Sequence, residues 1–247
     1  MTSASTIARV GALLEPPRPA PPVTDGYVDL LPPPAEEHVS LAQRAMRSSV
    51  LPRVYERAWR PLLFRAWTGH STAWESDRLR ERVRPRPGDV ALDVACGPGN
   101  TTRRLAKDIG DGLVVGSDVS PSMLARAVRD TPGEGAAYVR ADAEALPFRD
   151  GSFDVVTCYG ALYLMADPFA AVDELLRVLA PGGRLALLTT CDRGGPAAAR
   201  AFAAVHGVIG LRSFPRDAFT ARLSTAGLLD VEQEVSVWSQ TVTGRRP

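Results

Sequence analysis

Between Asp89 and Thr102 the chain reads D-V-A-L-D-V-A-C-G-P-G-N-T-T, and no other stretch limits the fold so tightly. Val90, Ala91, Leu92, Val94 and Ala95 make a short apolar run between Gly88 and Gly97. A strand buried on both faces reads this way, because neither side needs polar residues. Gly97-Pro98-Gly99 breaks the run, and Asn100-Thr101-Thr102 offers capping side chains to a helix over Arg103 to Ile109. A strand, a glycine turn and a helix N-terminus in succession bring bare backbone against a ligand.

Downstream, strand and helix patterns alternate. Leu113 to Asp118 reads as a strand ending in an acid, and Ser120-Pro121 opens a helix to about Val128. Ala136 to Arg140 and Phe153 to Cys158 read as further strands. Asp167-Pro168 opens a helix that runs through Leu179 and stops at Pro181-Gly182-Gly183, and Arg184 to Thr190 is a fifth strand. Helices follow over Pro196 to Ile209 and Asp217 to Ala226. Val231 to Trp238 and Gln240 to Gly244 alternate well enough to pair as a final antiparallel hairpin. Strands separated by helices argue for an α/β fold with a parallel sheet flanked by helices.

The first 86 residues differ. Eight prolines between positions 16 and 34 oppose helix and central strand, so residues 1–37 read as a Pro-rich flexible arm. Residues 38–86 read as an N-terminal helical cap holding Tyr55, Trp59, Phe64, Trp67 and Trp74 beside eleven arginines. Amphipathic helices with aromatics inward and arginines outward account for this. A cap that grips substrate, with Arg65 or Tyr55 reaching the pocket, is the sharper alternative. The remaining domain spans 87–247.

A formal net charge of +1 disfavours a general polyanion binder. No apolar run approaches the roughly 20 residues that span a bilayer. The N-terminus is a poor secretory signal and only a weak echo of a transit peptide. Cys96, Cys158 and Cys191 lie too far apart for a disulfide framework or a zinc pair, which makes a reducing cytoplasm the expected location. His38, His70 and His206 do not cluster, and each reads as a surface or packing residue; no metal is expected.

The D-V-A-C-G-P-G phrase resembles the first motif of class I S-adenosylmethionine-dependent methyltransferases. The order of later phrases strengthens the likeness: an acid, Asp118, 19 residues after Gly99, then D-A-E-A-L-P-F from Asp142, F-D-V-V from Phe153 and R-V-L-A-P-G-G-R from Arg177. The set is similar to the small-molecule branch containing the ubiquinone/menaquinone biosynthesis methyltransferases. This resemblance implies a doubly wound, mostly parallel, seven-stranded Rossmann-like sheet with an antiparallel C-terminal hairpin, and S-adenosylmethionine as cofactor. It implies that Gly97 and Gly99 let the methionyl portion approach the backbone, with Ala95 in the same loop. Asp93 would meet the cofactor ammonium, and Asp118 the ribose hydroxyls. Val119 and Met123 would sandwich the adenine, which Asp142 and the Ala143 N–H would recognise. The Cys158 backbone would lie under the methionine arm, and Tyr55 would contact the cofactor from the cap.

The implied reaction is in-line transfer of a methyl group to a small, apolar or aromatic acceptor, in which the protein contributes chiefly by alignment. The family often places a histidine after the fourth strand, where this chain has Tyr159 and Tyr163. Tyr163 is the candidate catalytic residue, and the general base stays open. An RNA methyltransferase is the alternative raised by the arginine-rich segment, but nucleic acid is disfavoured because no N-P-P-Y-type phrase follows the fourth strand. A non-catalytic cofactor-binding module is another alternative. A nicotinamide oxidoreductase fits poorly, since Thr102 stands where G-x-G-x-x-G needs its third glycine.

Overall fold

The computed structural model describes residues 3–32, 65, 67–131, 133, 135–192 and 212–247. In chain order its elements are helix α1 (Ala4–Leu13), strands β1 (Val23–Thr24) and β2 (Tyr27–Asp29), helix α2 (Thr72–Val83) and strand β3 (Val90–Val94). Next come α3 (Asn100–Ile109), β4 (Leu113–Asp118), α4 (Pro121–Asp130), β5 (Ala136–Arg140) and β6 (Phe153–Tyr159). A 3-10 turn (Leu162–Leu164), α5 (Pro168–Val178), β7 (Leu179–Thr190), α6 (Ala218–Thr225), β8 (Leu229–Ser236) and β9 (Ser239–Arg245) are the remaining elements of the described residues.

The strands form one sheet in the order β1-β2-β5-β4-β3-β6-β7-β9-β8. From β2 to β7 neighbours are parallel, and β9 and β8 add the antiparallel hairpin. β3 is central: Leu92, paired with Val115 on one side and Val156 on the other, is fully buried. After β5 the chain crosses from one side of β3 to β6 on the other. Such a reversal of strand order opens a crevice at the carboxyl ends of the strands.

The helix starts follow local chemistry. Ser120 accepts from the Met123 N–H and Pro121 takes the first helical position, while Asp167 accepts from Phe169 and Ala170 ahead of Pro168. α3 differs from the expected capping. Its N-cap is Gly99 at φ 76° without a side-chain bond, and Asn100 is already helical.

Three expectations need correction. The sheet has nine strands among the described residues rather than seven, because the short β1 and β2 stand among prolines that mask them in the sequence. Those strands also correct the flexible arm, at least over residues 3–32. Val28 pairs in parallel with Val139, and Leu14 bridges Phe148. Val10, Leu14, Tyr27 and Val28 are each at most 2% exposed, and burying such side chains is worth about 1.5–3 kcal/mol apiece. Arg140 fastens this segment, donating to Asp29 and to the Leu31 and Pro32 carbonyls. Pro16, Pro17, Pro19, Pro21, Pro22 and Pro32 lie in the connections, where no ladder hydrogen bond is lost. Finally, β7 starts at Leu179, before Pro181-Gly182-Gly183 rather than after it. Its register jumps from Phe153↔Leu179 to Val155↔Arg184, so the glycines bulge out of a strand already begun. Most of the helical cap, including Tyr55, and the helix read over Pro196 to Ile209 lie outside the described residues.

Candidate cofactor cradle and acceptor wall

The loop after β3 is held by buried side chains. Asp93 is 1% exposed, flanked by Gly116 on β4 and Thr157 on β6. Its carboxylate accepts from Thr102 Oγ1 at 2.7 Å and Thr157 Oγ1 at 3.0 Å, and from the Thr102 N–H. A strand acid thus caps the first turn of α3, supplying what Gly99 lacks. Burial outweighs these bonds and pushes the Asp93 carboxyl up to about 6.

Three residues of the turn have left-handed backbone: Ala95 at φ 54°, Gly97 at φ 55° and Gly99 at φ 76°. For alanine that conformation costs roughly 1–2 kcal/mol, a local strain of the kind concentrated at ligand-binding turns. The two glycines are needed for different reasons. Among the described residues a Cβ on Gly97 would meet nothing within 4 Å, which leaves that side open to a ligand. A Cβ on Gly99 would come within 2.4 Å of the Tyr138 hydroxyl.

Tyr138 was not singled out from the sequence, yet it supports this loop from below. It is 1% exposed on β5, its hydroxyl lies 2.7 Å from Thr131 Oγ1, and its ring occupies the space that a side chain on Gly116 would need. The available signal was Gly116, an isolated glycine within a buried strand, which marks close approach by a neighbour. Thr102 and Thr157, which hold Asp93, carried no comparable signal.

Asp118 ends β4 beside Gly97. Its Oδ2 accepts from the Gly97 N–H and its Oδ1 from the Ser120 N–H, both at 2.9 Å. Burial raises its carboxyl above the usual range, against the pull of these N–H groups. Each oxygen keeps a second lone pair for an outside donor. Asp142 lies close by on the same edge: Asp118 pairs with Arg140, and the Ala141 N–H donates to the Asp118 carbonyl. The Asp142 side chain is exposed and accepts from the Glu144 N–H, with Ala143 half-buried next to it. Val119 presents a 41% exposed apolar side chain, whereas Met123 is 2% exposed. Of the two residues expected around the adenine, Val119 has the open surface.

Cys158 is fully buried on β6 opposite Val94, and burial pushes its thiol well up. Cys96 is shifted the same way, so neither is a thiolate nucleophile. Tyr163 sits half-buried in the 3-10 turn after β6, packing on the cluster that also receives Ala95 and Ala143. Its ring meets Trp67 edge-to-face at 5.2 Å. Trp67 in turn donates from Nε1 to the Trp238 carbonyl at 2.8 Å and accepts from the Trp238 N–H at 3.0 Å. An aromatic wall thereby stands at the carboxyl end of β6 and β7. Arg65 is exposed. Among the described residues no group of His, Cys, Asp and Glu could hold a metal ion, and no helix is long and apolar enough to cross a membrane.

Residues 92–187 match the family model described as a methyltransferase domain. The chain is 41% identical over 122 residues to a ubiquinone/menaquinone biosynthesis C-methyltransferase of Ectopseudomonas mendocina, covering 47% of this chain and 48% of that protein. It is 39% identical over 145 residues to a demethylmenaquinone methyltransferase of Thermus thermophilus, covering 58% of this chain and 63% of that one. The chain thus matches roughly half the length of these curated relatives. A putative methyltransferase from Bacillus halodurans superposes with a TM-score of 0.62 at 21% identity, over 70% of this chain and 99% of that chain. Residues 92–187 thus match a methyltransferase domain, and the chain shares its fold with a solved putative methyltransferase.

Proposed function

We propose that the protein transfers the methyl group of S-adenosylmethionine to a small aromatic acceptor of hydroquinone type. The observation that carries the reading is the Asp118 carboxylate fixed by two backbone N–H groups next to Gly97, with no atom of the described residues within 4 Å of where a Gly97 side chain would start. That cradle suits a nucleoside: a fixed carboxylate for two vicinal hydroxyls, Val119 for a base, and bare backbone for the amino-acid arm. When bound, the cofactor supplies a methyl group already activated by the sulfonium.

The chain's own part is to bind and orient. Asp118 would hold the ribose hydroxyls, while Asp142 and the Ala143 N–H, two and three residues beyond β5 on the same edge, would take the adenine. Gly97, Gly99 and Ala95 would let the backbone approach the methionyl portion, and the Cys158 backbone of β6 would lie under the methionine arm. Asp93, saturated by Thr102 and Thr157, would act on the cofactor through the loop it braces. Met123 would support Val119 from within the core. Tyr163 and Trp67 supply the aromatic surface for the acceptor, and alignment at van der Waals distance accounts for the bulk of such a rate. The acceptor class is argued from the names of the relatives, quinone-pathway C-methyltransferases, together with this wall. Tyr55 remains a candidate for contacting the cofactor.

Calorimetry with S-adenosylmethionine and S-adenosylhomocysteine tests the cofactor, and a labelled-methyl assay on 1,4-dihydroxynaphthalene tests the acceptor class. Saturable binding of both nucleosides with methylated product is expected. Folded protein that binds neither nucleoside refutes the reading.

A further inference from the structure

The sequence leaves the proton acceptor open, since positions 159–163, directly after β6, hold no histidine. The structure brings one to that end of the sheet from elsewhere. His70 precedes α2, whose N-terminus faces the carboxyl ends of the strands. Its Nδ1 lies 3.6 Å from Glu75 Oε1 and 3.5 Å from Ser236 Oγ, and its ring stacks on Trp74 with centroids 3.7 Å apart. The histidine side chain is 34% exposed, whereas that of Glu75 is 5% exposed. A buried carboxylate therefore stands behind a half-exposed imidazole.

The backbone carrying His70 is fixed. Thr68, fully buried, donates to the His70 carbonyl and accepts from the His70 N–H, and the Thr68 carbonyl accepts from Ser236 Oγ. One residue earlier is Trp67, tied to Trp238 and packed on Tyr163. His70 is thus anchored to the aromatic wall proposed to receive the acceptor.

We propose that His70 takes the acceptor's proton in this methyl transfer and that Glu75 is its positioning residue. The proposal rests on the reading of the protein as a methyltransferase. With Nδ1 directed at Glu75 and Ser236, Nε2 is the nitrogen that meets the acceptor. The acceptor's phenolic O–H gives its proton to Nε2, and the phenolate's electron pair, on oxygen or through the ring on the ortho carbon, forms the bond to the methyl carbon. A ring carbon methylated in this way passes its hydrogen back to the oxygen as a proton. The carbon–sulfur bond breaks with its pair passing to sulfur, and the imidazolium returns the proton to water. A carboxylate behind Nδ1 selects the tautomer with Nε2 unprotonated and stabilises the imidazolium. The 3.6 Å separation is an ion-pair distance, and such contacts are often long in unliganded enzymes.

The neighbouring groups fit the assignment. Burial, then the Glu75 charge, drives the Tyr159 phenol well above its usual range, so it stays protonated. Burial also raises the Glu75 carboxyl, and a positive His70 opposes that rise. The other charges facing the pair are Glu234 on β8, with Arg78 and Arg82 of α2 both held on Glu234.

Two measurements test the proposal. In the first, cofactor-free and mapped by peptide mass spectrometry, diethylpyrocarbonate labels His70, and S-adenosylhomocysteine with 1,4-dihydroxynaphthalene slows the labelling several-fold. In the second, His70→Gln leaves the S-adenosylhomocysteine affinity within about twofold while kcat falls ~10²–10⁴-fold. Glu75→Gln shifts the acid limb of the kcat/KM profile to lower pH, which a purely structural glutamate would not do. Labelling unaffected by the two ligands overturns the proposal, as does wild-type turnover in His70→Gln. Failure of the wild type to bind S-adenosylhomocysteine removes the methyltransferase reading itself, a result separate from either of these.

Discussion

The two sides of the carboxyl edge are built differently. The cradle after β3 is local: within Asp93 to Thr102, one acid, two glycines and a strained alanine shape the backbone. The wall opposite is assembled from afar, with His70, Glu75 and Arg82 meeting Tyr159 and Glu234 through side chains. In the first the main chain is the ligand-facing surface, and small changes of volume are costly. In the second, side chains from distant parts of the chain meet, from the buried Glu75 and largely buried Arg82 to the partly exposed His70 and Glu234.

The largest expected contrast is at Gly99. Gly99→Ala places a Cβ against the Tyr138 hydroxyl at a φ that alanine resists, and strain plus overpacking should cost ~2–5 kcal/mol of stability. Urea unfolding reads this, and a loss under about 0.5 kcal/mol would show the loop to be looser than described. Asp118→Ala comes next. It should weaken S-adenosylhomocysteine binding by ~1.5–3 kcal/mol, about 10- to 150-fold by calorimetry, with the fold retained.

Asp93 yields a pH dependence with a definite sign. Its folded value, about 6, lies above the unfolded model value of 3.8, so between these the native state binds the extra proton. This contribution therefore gains as pH falls through 6 toward 4 and is lost as pH rises through 6. The stability of wild type relative to Asp93→Asn should rise by about 1 kcal/mol between pH 7 and pH 5, measured by urea midpoints. A relative fall would contradict the buried, protonatable carboxyl. The smallest effect belongs to the wall. Arg82→Met removes an ion pair whose Glu234 partner is 36% exposed and whose own Nε and Nη1 have no partner among the described residues. Stability should change by only ~0–1 kcal/mol. A loss as large as that at Gly99 would erase the distinction between the two regions.

The same contrast explains what could be read from the chain. β3, the glycine turn, Asp118 and the β–α alternation are encoded by neighbours in sequence, so their chemistry is visible one residue at a time. The docking of residues 3–32 was hidden because prolines dominate the local signal, while the decisive partners, Val139 and Arg140, lie more than a hundred residues away. Tyr138 looked like an ordinary strand residue until Gly99 and Gly116 were placed over its ring. His70 looked isolated because Glu75 and Ser236 converge on it only after α2 and the hairpin pack.

The most direct test of the cradle is a crystal structure with S-adenosylhomocysteine. The account predicts both ribose hydroxyls within about 2.5–3.0 Å of the Asp118 carboxylate, with the methionyl chain over Gly97. A nucleoside bound away from Asp118, with Gly97 still facing solvent, would contradict it.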